Sequence, residues 1–228
     1  MTLLILAAAF LLVSHFGISS TQLRPWLIAR IGERAYLAGY SLLALGALVW
    51  LSMAYRRAPF IELWPMAEWS YWLPLIVLPF ALLLLVSGVS TPNPTAMGQG
   101  AILETNDPVR GMLRVTRHPV MWAIALWALA HLLANGDLAS LVLFGSLAAL
   151  ALLGTRALDA KSAARQGAAW QRFAAATSNL PLAAVFDGRQ RLRFAEIGWW
   201  RIALALVLYL ILLLIHPWLF GVSPVAIV

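Results

Sequence analysis

The sequence predicts an all-α membrane protein, a bundle of about six transmembrane helices in one domain that covers residues 1–228. The composition is 62% hydrophobic and only 11% charged, whereas soluble domains carry about 25% charged residues. Apolar runs also recur along the chain at lengths near the ~20 residues that cross a hydrocarbon core. A chain this apolar cannot cover itself with polar surface, so we expect membrane lipid to be its solvent and partner.

The apolar runs cover residues 2–18, 35–55, 72–90, 119–135, 138–155 and 198–220. The first run could instead be a signal peptide. It has no basic residues before its apolar part, and it continues through His15 without a small-residue cleavage site. We therefore interpret it as a retained helix.

Residues 156–196 form a long polar segment before the last apolar run. Its alanine-rich part, about 157–177, mixes aromatic with basic residues. This pattern predicts a helix that lies at the membrane surface, and a solvated connector helix is an equal alternative.

The basic residues predict the orientation of the helices. With the N-terminus outside, only Arg56 and Arg57 fall in external loops, next to Glu62 and Glu68. The other basic residues fall on the cytoplasmic side: Arg24, Arg30, Arg34, Arg110, Arg114, Arg117, Arg156, Lys161, Arg165, Arg172, Arg189, Arg191, Arg193 and Arg201. This asymmetry predicts a multi-pass protein of the bacterial inner membrane with both termini periplasmic. It also argues against a nucleic-acid partner despite the net charge of +7, because these charges serve orientation and contact with anionic lipid heads.

Histidines are the main candidates for chemistry. The chain has no cysteine, which excludes disulfides and thiolate-held metal sites. Ionisable residues inside a bilayer are costly and are functional candidates for that reason. The four histidines are His15, His118, His131 and His216. No two lie three or four residues apart, so a zinc site on one helix is excluded and ligation between helices remains.

The sequence around each histidine indicates whether it anchors the helix at the interface or binds a ligand. His118 follows Arg117 at the start of the fourth run, where anchoring at the interface is as good an interpretation as binding. His131 lies 13 residues later, about 20 Å along the same helix and on another face, so these two cannot share a metal. His216 lies near the outer end of the last run and favours interfacial placement. His15, inside the first run, is the least easily explained as an anchor.

Several short motifs follow one another along nearly the whole chain. They are FLLVSHFGISS at 10–20, IGERAY at 31–36, TRHP at 116–119, LAH at 129–131, NGD at 135–137, TS at 177–178 with LP at 180–181, DGRQ at 187–190 and HP at 216–217. In this order they resemble the NnrU family, whose plant relatives are the 15-cis-zeta-carotene isomerases.

The resemblance implies a bound haem b with histidine ligands from the first helix and from the LAH segment, here His15 and His131. It implies either isomerase-like redox chemistry on a hydrophobic small molecule or a link to denitrification, around nitrite and nitric oxide reduction. Whether the protein is an enzyme stays open. The plant motif has a cysteine three residues before the second histidine, and Ala128 stands there in this chain, so a thiolate ligand is absent.

The expected depths of His15 and His131 in the membrane are a partial test of this ligand pair. Counted from the outer surface, His15 and His131 differ in height by about 10 Å at helical rise. The pair is strained on that estimate, and His15 with His118 fits about as well.

Two other functions stay open. The RHP segment at 117–119 is similar to that of isoprenylcysteine and phospholipid methyltransferases, which bind S-adenosylmethionine through R-H-P-x-Y-x-G. This makes Arg117 and His118 cofactor-binding candidates, but Met121 and Ala123 stand at the tyrosine and glycine positions. Asp159, Gly167 and Trp170 match the downstream part only loosely. The other alternative is a non-catalytic membrane partner that assists maturation of a respiratory or denitrification complex.

Overall fold

The computed structural model describes residues 1–96, 99–105 and 107–225. Regular structure in those residues is helical, which confirms the all-α prediction. The helices are α1 (Thr2–Ser19), α2 (Leu23–Ile31), α3 (Glu33–Arg56), α4 (Glu68–Ser90), α5 (Pro119–Asn135), α6 (Leu138–Ala176), α7 (Ala183–Phe186), α8 (Phe194–Ile197) and α9 (Trp199–Phe220). Two short 3-10 helices, Gly100–Glu104 and Gly111–Arg114, lie between α4 and α5.

Each predicted apolar run coincides with a long helix. Five of these helices, α1, α3, α4, α6 and α9, are long and apolar enough to cross a membrane. The sixth, α5, is apolar but has only 17 residues. The chain is therefore built for a membrane.

A tight turn joins α5 to α6 and makes them an antiparallel hairpin. Gly136 has φ 66°, and a Cβ there would collide with the carbonyl oxygen of Trp64. The N–H groups of Leu63 and Trp64 both donate to the Gly136 carbonyl, at 2.8 and 3.1 Å. Asp137 then caps α6, since its carboxylate accepts a hydrogen bond from the Ser140 N–H at 3.0 Å. Glycine is needed here because the backbone turns left-handed where another segment crosses it.

The long helices pack in a row. Helix α9 packs against α4, α4 against α5, α5 against α6, and α6 against α1, which also packs against α3. Small residues such as Ala7, Ala47 and Ala139 are buried where α1, α3 and α6 meet. Small side chains let helices approach closely, and this is how helices associate in lipid. At the end of the row, Ala205 is the buried residue of α9, so that helix turns nearly all of its surface outward.

The alanine-rich helix expected at 157–177 is the second half of α6. No glycine or proline lies in residues 155–166, so the helix continues past the end of the apolar run. It breaks only at Gly167, with φ 50° and ψ −124°. Beyond the break, Trp170 and Phe173 are buried against a cluster that includes Leu103 and Leu113. These two aromatic side chains thus pack inside the protein.

Candidate functional site

Hydrogen bonds determine which ring nitrogen three of the histidines offer. The Nδ1 atoms of His15, His131 and His216 lie 3.0, 2.8 and 2.9 Å from the carbonyl oxygens of Leu11, Trp127 and Val222. A carbonyl oxygen can only accept, so each Nδ1 carries the hydrogen and the lone pair of the neutral ring is on Nε2. A backbone carbonyl that orients the other ring nitrogen is the usual support of a metal-binding histidine. All three rings are therefore prepared to bind through Nε2.

The fourth histidine offers the opposite nitrogen. Nε2 of His118 lies 2.7 Å from Oδ1 of Asp159, and the ring is completely buried. The same carboxylate accepts two hydrogen bonds from Arg117, at 2.9 Å from Nε and 2.6 Å from Nη2. Because the carboxylate is held by a guanidinium, Nε2 of His118 donates to it. Nδ1 of His118 is buried with no hydrogen-bond partner among the described residues.

The ion-pair cluster of Arg117, His118 and Asp159 is built into the protein. The backbone N–H of Arg117 donates to the Ser178 carbonyl at 2.9 Å. Its guanidinium also lies over the ring of Trp170, 5.9 Å from the centroid. The cluster joins the start of α5 to the polar half of α6 and to the loop after it. Asp159 and Trp170, which match the downstream part of the methyltransferase motif loosely, are the residues of α6 that contact Arg117.

His131 faces a different environment. A cavity of about 500 Å³ lies between α4, α5 and α9. Leucine and proline side chains of α4 make up much of its wall. Its polar lining residues are Tyr71, His131, Asn135, Tyr209, His216 and Ser223. The His131 ring also contacts Trp127 and Phe144, with centroids 5.3 and 5.2 Å away. This site is an apolar pocket with a few convergent polar groups, which is typical of small-molecule sites.

A proline in α4 fixes α9 beside this cavity. Pro79 has no N–H, so the carbonyl of Leu75 lacks its normal helix partner. The hydroxyl of Tyr209 on α9 donates to that carbonyl at 3.1 Å. Sequence analysis did not identify Tyr209, although the two prolines inside α4 were a signal that another helix must supply a donor.

His15 lies in a third environment. Its ring packs edge-on against Tyr40 of α3, with centroids 5.6 Å apart, and it lies four residues before the end of α1 at Ser19. The structure brings together Arg117 with His118, and His131 with His216, but it does not bring His15 to His131. Helix α6 packs against both α1, which carries His15, and α5, which carries His131.

Metal ions held by protein side chains alone have no candidate site in the described residues, since these contain no group of three or more His, Cys, Asp or Glu placed to hold one. A haem needs only one or two imidazoles, because the porphyrin supplies the other ligands. His131, with Nε2 available and an apolar cavity beside it, fits such a ligand. His15 and His131 do not fit as the two ligands of one haem in this arrangement.

A family model described as "NnrU protein" matches residues 3–224. The chain belongs to the NnrU family. The family resemblance expected from the ordered motifs is thereby confirmed.

Two plant relatives of this NnrU protein carry the name 15-cis-zeta-carotene isomerase, chloroplastic. The one from Arabidopsis thaliana is 32% identical over 203 residues, which are 82% of this chain and 51% of the relative. The one from Zea mays is 33% identical over 82 residues, which are 36% of this chain and 22% of the relative. The NnrU chain thus spans about half the length of the first relative and less of the second. No solved structure matches it.

Proposed function

We propose that this NnrU protein binds haem b in the cavity between α4, α5 and α9, where His131 would hold its iron. The observation that carries the proposal is the orientation of the His131 ring. Nδ1 donates to the Trp127 carbonyl at 2.8 Å, which leaves Nε2 as the free ligand atom on a residue that lines the cavity. The cavity volume, about 500 Å³, is within the usual range for sites of cofactor or drug size.

Haem, when bound, would supply one-electron redox chemistry at iron. The residues of this chain set its surroundings. Leu78 and Leu82 of α4, with Leu213 of α9, give the cavity apolar walls, which exclude water and thereby influence the reduction potential. Trp127 and Phe144 pack on the His131 ring and restrict its rotation.

The lining of the cavity favours an apolar substrate. The described residues that line it include no lysine or arginine, so nothing there is suited to attract nitrite. The plant relatives are named as isomerases of a carotene, which is a hydrocarbon. We therefore propose isomerase-like redox chemistry on an apolar molecule that arrives from the bilayer, in preference to nitrite reduction.

The contacts within the ion-pair cluster favour a structural role for Arg117 and His118 over a role in methyl transfer. Asp159 already engages both Arg117 and His118, and these are the residues that the methyltransferase resemblance assigns to the cofactor. A non-catalytic partner role remains the alternative if no haem binds.

We also propose six spans, with both termini periplasmic, in a bacterial inner membrane. Helix α5, with 17 residues, is about 25 Å long at helical rise and is at the lower limit for a span. Its hairpin with α6 supports a crossing, because α6 begins where α5 ends and runs back. The contacts between Lys161 and Ser19 and between Arg201 and Ser90 also group the ends that are predicted to be cytoplasmic.

The visible spectrum of the purified full chain tests the haem proposal. We expect a Soret band in detergent after haem addition, a pyridine haemochrome of the b type, and loss of most bound haem in His131→Ala. Imidazole added to that variant should restore binding if the ring is the ligand, which separates ligand loss from misfolding. A wild-type protein that stays colourless after haem addition would contradict the proposal and leave the partner role.

A further inference from the structure

The cavity that contains His131 is shared with a second histidine. His216 on α9 lines the same space, and α4 packs against both α5 and α9. The face of α4 that carries Leu75, Leu78 and Leu82 is the wall between them. Two imidazoles from different helices therefore border one apolar cavity.

The two histidines also lie at the same distance from the ends of their helices. His131 is four residues before the end of α5 at Asn135, and His216 is four residues before the end of α9 at Phe220. Both ends are on the side of the molecule opposite to the ion-pair cluster. Each histidine is thus about 6 Å, one helical turn, from the end of its helix, and both helix ends are on the same side of the bundle.

His15 does not meet this condition. Phe144 of α6 contacts the His131 ring, and Lys161 of α6 donates to Ser19 at the end of α1, close to His15. Seventeen residues of α6 separate Phe144 from Lys161, about 25 Å of helix. His15 and His131 are therefore about 15–20 Å apart along the bundle axis, whereas two axial ligands of one iron must approach within a few ångströms.

The chain after α9 orients His216. Gly221 has φ 75°, a left-handed conformation that suits glycine and turns the backbone back on the helix. This turn brings the Val222 carbonyl to Nδ1 of His216, at 2.9 Å. Phe220 packs on the same ring, with centroids 4.8 Å apart. The ring is thus fixed by a carbonyl and by an aromatic contact, as His131 is by Trp127.

We infer that His216, rather than His15, is the second axial ligand, and that the haem is bound between α5 and α9 against the face of α4. This inference rests on the proposed function, since it assumes haem at His131. Both ligands would then be neutral imidazoles bound through Nε2, which gives six-coordinate, low-spin iron.

The test compares His216→Ala with His15→Ala in the haem-loaded full chain. We expect the wild type and His15→Ala to show the sharp visible bands and electron paramagnetic resonance signal of low-spin bis-histidine iron. In His216→Ala the iron should become five-coordinate and high-spin, and added imidazole should return it to low spin. Thermal melting of both variants, followed by circular dichroism, controls for folding.

Each outcome bears on one of the two proposals. A wild type that binds haem, with a spin state that changes in His15→Ala and not in His216→Ala, overturns the His216 assignment and leaves haem binding intact. A high-spin wild type also overturns it, because only one histidine then binds. A wild type that takes up no haem overturns both proposals.

Discussion

The role of each histidine depends on which ring nitrogen its neighbours occupy. His131 and His216 give Nδ1 to a backbone carbonyl and keep Nε2 available. His118 gives Nε2 to Asp159 and is completely buried. The sequence identified all four residues as candidates, but it could not show the partners of His118 and His216, which are a distant residue, Asp159, and a turn beyond the helix. The ring of His118 is therefore engaged in an ion pair, whereas the ring of His216 keeps Nε2 available.

Asp159→Asn should destabilise the folded protein strongly. The change removes the charge that the Arg117 guanidinium faces, and the side chains of Arg117 and Asp159 are only 14% and 22% exposed. An uncompensated, largely buried cation costs about 2–4 kcal/mol. Thermal melting in detergent should show a midpoint lower by several degrees.

Asp107→Asn is the matched control, because it removes the partner of Arg110 in an exposed pair whose side chains are 69% and 46% accessible. Pairs of that kind contribute about 0–1 kcal/mol. Equal small shifts in the two variants would mean that the buried cluster does not hold α5 and α6 together.

At the scale of elements, the sequence predicted the helices well and their continuity less well. Apolar runs locate α1, α3, α4, α5 and α9 closely, because hydrophobic length is a strong signal in a membrane protein. The charged residues from Arg156 onward indicated the end of a span, and the helix indeed leaves its apolar part there. Charge does not end a helix, however, and α6 continues to Ala176.

Glu196 joins α8 to the 3-10 helix at Gly111–Arg114. Its carboxylate accepts from Arg114 at 2.8 and 3.0 Å and from the Gly111 N–H at 2.9 Å. The hydrogen bonds from Arg114 lower the pKa of Glu196 from 4.5 to about 2. Partial burial acts in the opposite direction and is outweighed, while the Gly111 N–H lowers the pKa further. The carboxylate therefore stabilises the folded form as long as it is ionised.

Acid should remove this contribution. The pKa of Glu196 is lower in the folded protein than in the unfolded chain, so its ionised carboxylate stabilises the folded protein. This stabilisation is complete above pH 4.5, the pKa in the unfolded chain, and is lost as the pH falls through about 2. Glu196→Gln should therefore be less stable than wild type at neutral pH, and the difference should shrink between pH 4.5 and 2. Melting curves at several pH values measure it. A difference that stays constant on acidification would show that ionisation of Glu196 does not contribute.

At the scale of the molecule, the order of helices in the row was not predictable from the sequence. Local patterns identify spans, while the neighbours of a span depend on which small-residue faces match. The estimate of about 10 Å between His15 and His131 in height assumed uniform span ends. In the structure, His15 is one turn from one end of the bundle and His131 is one turn from the other.

The distribution of charge over the whole bundle gives the last prediction, which concerns topology. The chain has no native cysteine, so single cysteines can report each side without background labelling. With six spans and the N-terminus outside, an impermeant maleimide should label Phe60→Cys and Ser223→Cys in intact cells. Ser20→Cys, Glu104→Cys and Phe186→Cys should be labelled only after the membrane is opened, and labelling in detergent controls for reactivity.

The position at Glu104 decides whether α5 crosses the membrane. The residue follows α4 and precedes α5, and the far end of α5 is hydrogen-bonded to the loop that contains Phe60, through Leu138 N–H to the Ile61 carbonyl at 2.9 Å. If Glu104→Cys reacts in intact cells while Phe60→Cys also does, then α4 and α5 do not span and the six-span topology is wrong. If Phe60→Cys is protected and Glu104→Cys reacts, the bundle has the opposite orientation, and the cavity that contains His131 would face the cytoplasmic leaflet.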